Sequence, residues 1–211
     1  PLLATSMNSV AHEPTTKKED VSDNYCGSTI NDPYRWLEDD NSADTKKWVE
    51  AQNAFTQKNL ATIPFKGKVK NSLTEMWNYE KYGSPDKEGE YYLFYKNDGL
   101  QNQSVLYIQK GLNGTPSVFI DPNKLNKKGT SSLNSVSLSK NQKLCAYSVS
   151  NAGSDWQDIY VMDVATKMLK KDKIEYSKFS SIAWMNDEGF YYSGYDKPKN
   201  EERQNTTTKK H

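Results

Sequence analysis

The sequence lacks the short motifs by which enzymes usually declare themselves. It contains no GxSxG, HExxH, GxGxxG or Walker loop, which removes the ordinary signals for a hydrolase elbow, a zinc protease, a dinucleotide site and a phosphate cradle. Histidine is nearly missing: His12 and His211 lie in polar terminal segments, where nothing would hold an imidazole against a nucleophile, so both read as solvated. Cysteine is as scarce. Cys26 and Cys145 stand far apart with no CxxC, which argues against a zinc site or a disulfide framework and leaves two buried structural thiols as the expectation. No cofactor and no metal are indicated. No run of about 18 apolar residues occurs, so no spanning helix is expected. A net charge of +1 with 26% charged residues supplies no basic field to capture nucleic acid or an anionic membrane.

What the chain does have is aromatic. Hydrophobic residues are only 35% of the 211, yet 14 tyrosines and 5 tryptophans are more than a disordered chain carries. The chain should therefore fold around rings rather than aliphatic side chains. It begins PLLATSMNSVAHE with no initiator methionine and continues into the polar PTTKKEDVSDN. That pattern suits the tail of a signal peptide, hence a periplasmic or secreted protein, and equally an arbitrary cut in a cytoplasmic one.

After a leading segment expected to be flexible over residues 1–20, Asn31-Asp32-Pro33 reads as a turn. Asn41 or Ser42 then offers an N-cap for a helix from about Ala43 to Leu60, with Asp44 in its first turn. Trp48, Ala51 and Phe55 share one face of it. Pro64 restarts the chain, and a second helix is predicted from about Phe65 to Tyr79, with Phe65, Val69, Leu73, Met76 and Trp77 on one stripe. Both stripes are expected to be core. From Tyr82 the pattern changes to short strands separated by polar turns, with candidates at 91–95, 104–109, 116–120, 134–138, 144–149, 158–163 and 189–193.

The strands repeat. VSLSKNQKLCAYS from Val136 lies over IAWMNDEGFYYS from Ile182, and KNDGLQNQSVLYI after Tyr95 lies over SNAGSDWQDIYVM after Val149. The offset of roughly 45 to 55 residues is that of a four-stranded propeller blade. Residues 82–211 would supply two blades and the start of a third, fewer than close a ring, so the chain reads as a fragment. The consecutive acids Glu38, Asp39 and Asp40 point apart on any regular backbone and suit a solvated or capping cluster better than paired acid–base work.

The motifs YxG, NDPYRWLEDD, TKKWVEAQN, IPF, WNYEKYGSP, YYLFYKNDGLQNQSVLY, FIDPN, AYSVSNAGSDWQDIYVMD and KFSSIAWMNDEGFYYSGYDKP follow one another from about Pro14 to Pro198. In this order they resemble the prolyl oligopeptidase family of serine peptidases. The resemblance implies an α+β fragment: a helical segment of an α/β-hydrolase peptidase domain over residues 21–81, then the first two to three blades of a seven-bladed β-propeller over 82–211. It makes DPYRWLED a structural clasp, for which Arg35, Trp36 and Asp39 are chemically suited.

The resemblance also implies acyl transfer after proline, with a propeller that excludes folded proteins and admits short proline-containing peptides. The serine, aspartate and histidine would belong to a C-terminal α/β-hydrolase domain absent from these residues. No catalytic residue is thus expected here. Two substrate contacts are carried over by motif: Asp155 of SDW, influencing substrate charge preference from a propeller turn, and Phe179 of KFS, lining an apolar pocket upstream of the cut bond. The plainer alternatives are an ordinary turn acid for Asp155 and a blade-core ring for Phe179. Two other functions stay open: an oligopeptidase cutting after basic residues, and a non-catalytic binding module.

Overall fold

The structure, a computed structural model, describes residues 13–196 and the backbone of 207–210; His12 and His211 lie outside the described residues. The chain divides into two compact units, the first ending at Leu73 and the second starting at Thr74.

The first unit opens with a hairpin for which the sequence carries no strand signal. Strands β1 (Ser22–Tyr25) and β2 (Ser28–Asn31) pair antiparallel. Cys26 and Gly27, both at positive φ, make the two-residue turn, the mirror-image type whose twist matches paired strands. Asn24 Oδ1 accepts from Gly27 N at 3.0 Å across it. Cys26 is therefore exposed at a hairpin tip, not a buried thiol. Four-residue strands rich in Ser, Asn and Thr bury almost nothing, so no hydrophobic alternation marked them.

Next comes a 3-10 turn, Arg35–Glu38. The Arg35 guanidinium reaches Asp23 through two nitrogens and Asp32 through Nε at 3.0 Å, tying the turn to the hairpin. Asp39 takes no part in that ion pairing; its carboxylate accepts from Asn41 N at 3.0 Å. The indole of Trp36 donates to Lys17 O at 3.0 Å, and that of Trp48 to Thr16 Oγ1 at 2.9 Å, so residues 16–17 are bonded to the turn and the following helix.

Helix α1 (Ala43–Ala61) starts where its cap requires: Ser42 Oγ accepts from Thr45 N at 3.1 Å, satisfying one of the orphan donors of the first turn. Helix α2 (Lys66–Trp77) follows. The apolar stripes do not behave as core. On α1 Trp48 and Phe55 are half-buried and Ala51 is exposed. On α2 no residue is buried, Met76 and Trp77 being 71 and 63% exposed, and Phe65 just before it is 64% exposed. Helical spacing establishes which residues share a face; it does not establish that anything covers that face.

The second unit is antiparallel sheet. Strands β3 (Lys81–Tyr82), β4 (Asp86–Glu88), β5 (Tyr91–Asn97), β6 (Val105–Lys110) and β7 (Ser117–Ile120) form one sheet in the order β3-β5-β6-β7, with β4 also on β5. The other contains β8 (Ser131–Leu138), β9 (Leu144–Asn151), β10 (Trp156–Asp163), β11 (Leu169–Lys178), β12 (Ala183–Met185), β13 (Gly189–Gly194) and β14 (Thr207–Lys210). Its order is β8-β9-β10-β11-β13-β12, with β14 on β13.

Each of the seven expected strands is present. Both sequence repeats are hairpins: β8–β9 and β12–β13 for one, β5–β6 and β9–β10 for the other. The short strands β3, β4 and β14 were not expected, and neither was the long β11, LKKDKIEYSK, six of whose ten residues are charged. Only Ile174 and Ser177 in it are buried, so its sequence shows no apolar alternation to read.

Strand β9 carries the packing. Cys145, Tyr147 and Val149 face a cluster with Leu93, Leu106, Ile108, Phe119 and Ile120 of the first sheet. On the opposite face Ala146 joins Ile159, Val161, Ile174, Ile182 and Phe190. A strand buried on both faces reads as a continuous run instead of an alternation, as LCAYSVS does. Polar bridges reinforce the stack: Trp184 Nε1 donates to Ser137 O at 3.0 Å, and Glu90 N donates to Gln142 Oε1 at 2.8 Å.

Candidate functional site

The two residues singled out from the sequence, 24 positions apart in the chain, flank one end of the β10–β11 pair, Asp155 just before β10 and Phe179 just after β11. The turn before β10 is set by positive φ at Ala152 and Gly153 and closed by Ser154 N donating to Asn151 O at 3.0 Å. It delivers Asp155 immediately before the strand. Ser154 Oγ also accepts from Trp156 N at 3.1 Å, fixing where β10 begins.

The antiparallel register then sets Trp156 directly opposite Lys178, so their side chains are cross-strand neighbours on one face. Further along, β10 spends one residue between Gln157 and Ile159 while β11 spends two between Ser177 and Ile174. That is a β-bulge, and Tyr176 within it has φ 59°; bulges re-aim side chains in this way. The ring of Tyr176 is turned edge-on to the Trp156 indole at 6.2 Å and 81°. Tyr195 meets the same indole at 5.4 Å and 83°. Both are the edge-to-face geometry that aromatic quadrupoles favour. Tyr195 N donates to Tyr176 O at 2.8 Å, which locks the bulge to the chain beyond β13.

Phe179, the residue after β11, has φ 50°, a left-handed backbone that is rare and costly for an aromatic residue. Its ring is 74% exposed. The blade-core alternative for Phe179 therefore does not hold: the ring faces outward, beside the Trp156 cluster. Asp155 is also exposed, and its Oδ2 lies 3.3 Å from Lys178 Nζ. The same ammonium sits 5.4 Å from the ring centre of Trp156 and 5.4 Å from that of Phe179, within cation–π range of both.

Lys178 thus joins Asp155 to Phe179, and the sequence reading did not mark it. The signal was the residue preceding Phe179 in the KFS motif, but its meaning depended on a strand, β11, whose pairing was not visible.

The arrangement can bind; it contains no chemistry of its own. It offers an outward phenyl ring, a wall of edge-packed aromatics, one carboxylate and one ammonium. Among the described residues no group of three or more His, Cys, Asp or Glu could hold a metal. A polar crevice of about 540 Å³ lined by Glu90, Tyr91, Gln142 and Asp163 lies elsewhere; there Gln142 accepts from Glu90 N and the Asp163 carboxylate accepts from Thr166 N at 2.8 Å. No helix of the described residues is long and apolar enough to cross a membrane.

Residues 13–211 match the family model described as prolyl oligopeptidase, N-terminal beta-propeller domain. A prolyl endopeptidase of Elizabethkingia miricola is 50% identical over 208 residues, covering 99% of this chain and 29% of the relative. A solved structure from a study of two prolyl endopeptidases and their inter-domain dynamics superposes with a TM-score of 0.84 at 29% identity, over 95% of this chain and 30% of that one. Prolyl oligopeptidase B of Galerina marginata, bound to a 35mer hydrolysis and macrocyclization substrate, superposes with a TM-score of 0.74 at 28% identity, over 94% of this chain and 31% of that one. The chain thus spans somewhat under a third of the length of these relatives.

Proposed function

The chain belongs to the prolyl oligopeptidase family, and on that premise we propose that it is the N-terminal portion of a serine endopeptidase that hydrolyses short peptides on the carboxyl side of proline. In this reading residues 21–81 are the helical segment of the peptidase domain. Residues 82–211 are propeller: the β3–β7 sheet is one blade, β8–β11 the next, and β12–β14 open a third. The catalytic serine, aspartate and histidine are supplied by an α/β-hydrolase domain outside residues 1–211. The propeller acts as a size filter for peptides, and Asp155 and Phe179 touch the substrate.

The observation that carries the reading is the near-complete coverage of this chain by relatives named prolyl endopeptidase. The outward Phe179 ring beside Asp155 supports the substrate-contact part, because a solvent-facing phenyl on a strained backbone gains nothing from the fold that holds it.

The test compares two proteins against a chromogenic peptide reporter with proline before the cut bond. The full-length gene product should release the chromophore, fail on a reporter with arginine in place of proline, and leave a folded protein of similar sequence intact. The 211-residue chain alone should release nothing. Cleavage by the chain alone, or cleavage after arginine by the full-length protein, would overturn the proposal; the second result would favour an oligopeptidase cutting after basic residues.

A further inference from the structure

A carboxylate, two aromatic faces and a cation converge at the end of β10–β11, and the cation belongs to the chain itself. Lys178 Nζ is 3.3 Å from Asp155 Oδ2 and 5.4 Å from the centres of both the Trp156 and Phe179 rings. The Lys178 side chain is only 28% exposed while that of Asp155 is 57% exposed. Its ammonium is within cation–π range of both rings, and the register of β10 and β11 sets it opposite Trp156. Two ring faces and a carboxylate are the elements of a cation-binding cage, and here the occupant is built in.

We propose that Lys178 is a specificity-determining residue: by occupying this cage it offsets Asp155 and limits how far that carboxylate biases the site towards one charge of the peptide side chain that contacts it. This rests on the reading of Asp155 and Phe179 as substrate contacts. Removing the ammonium leaves the Asp155 carboxylate without this partner, a site for a lysine or arginine of the peptide. Removing the carboxylate instead exposes the ammonium, which attracts glutamate or aspartate.

The experiment measures kcat/KM of the full-length gene product on a series of proline peptides carrying Lys, Ala or Glu at each position upstream of the proline in turn. The wild type should discriminate among the three at the contact position less than either single variant does. Lys178→Met, which keeps a side chain of similar length, should favour the Lys peptide over the Ala peptide by about five-fold, the worth of one charge pair at contact distance in water, and disfavour the Glu peptide against Ala by a similar factor. Asp155→Asn should favour the Glu peptide by a similar factor. The double variant should lose both preferences, and Lys178→Arg should behave as wild type.

A shift with Asp155→Asn but none with Lys178→Met would overturn the masking role and leave the substrate-contact reading standing. Equal loss on all three peptides with Lys178→Met would assign Lys178 to the fold alone and overturn the proposal. If no variant moves any ratio and Phe179→Ala leaves KM unchanged, the substrate-contact reading itself fails, and the role of Lys178 with it.

Discussion

Cys145 illustrates how much one position inside β9 is governed by its surroundings. It has no exposure, and burial pushes its thiol up to about 12 from an ordinary 9.0, because a thiolate has no solvation there. The fold favours the neutral form. Its contribution to stability is therefore complete below the ordinary thiol value and is lost as pH rises from about 9 towards about 12. Tyr147, also raised to about 12 by burial, acts in an overlapping window. At pH 8 a thiol reagent should modify only Cys26, at the hairpin tip, and reach Cys145 only in denaturant. The melting temperature should fall through the alkaline window, and Cys145→Ala should flatten part of the fall. Equal labelling of the two thiols in the folded chain would contradict this account. Spacing could not separate the two cysteines; one sits in an apolar run and the other before a glycine, and that local context was the usable clue.

Among the elements, the β1–β2 hairpin depends least on packing and most on charge. Its strands are short and exposed, and a lone two-stranded hairpin is marginal in water. Arg35 supplies the fixed point, with Asp23 and Asp32 as partners. The guanidinium holds the Asp23 carboxyl below its ordinary value, chiefly by hydrogen bonding. A depressed carboxyl contributes stability that is present above its unfolded value and lost as pH falls through the folded one. Protection from amide exchange over residues 22–31, relative to the unfolded rate at the same pH, should hold at pH 5 and fall in stronger acid. Arg35→Ala should speed exchange in the hairpin already at neutral pH while leaving β9 and β10 unchanged. Uniform acceleration across the whole chain would argue against a local clasp. The sequence pointed to Arg35 and Trp36 as clasp residues. It gave Asp39 in place of Asp23 as the acid, because the partner strand 12 residues upstream had not been recognised.

For the molecule as a whole, exposed apolar surface decides how it behaves alone. Phe65, Val69, Leu73, Met76 and Trp77 form a stripe along α2 and every one is exposed. Such stripes on soluble proteins mark contact surfaces or aggregation hazards. Open sheet edges add unpaired backbone groups. The 211-residue chain expressed by itself should elute from size exclusion as multimers. Replacing Phe65, Met76 and Trp77 together by Gln should shift it towards monomer, without loss of the sheet signal in circular dichroism. A sharp monomer peak for the unaltered chain, with a cooperative melt, would sink the expectation.

The division between what sequence and structure each decided follows from range. Helix ends, strand positions and the two hairpin repeats depend on interactions within a few residues, so the sequence carried them: Ser42 caps α1 as its neighbours dictate, and LCAYSVS is a buried strand because nearly every residue in it is small or apolar. The motif order identified the family, and with it Asp155 and Phe179 as positions to watch. Only tertiary structure could decide what lies across a ladder or over a face. The pairing of β10 with β11 sets Lys178 between Asp155 and two rings, while the exposure of α2 depends on what is absent from its surface. Both are facts about neighbours distant in the chain, which no local pattern encodes.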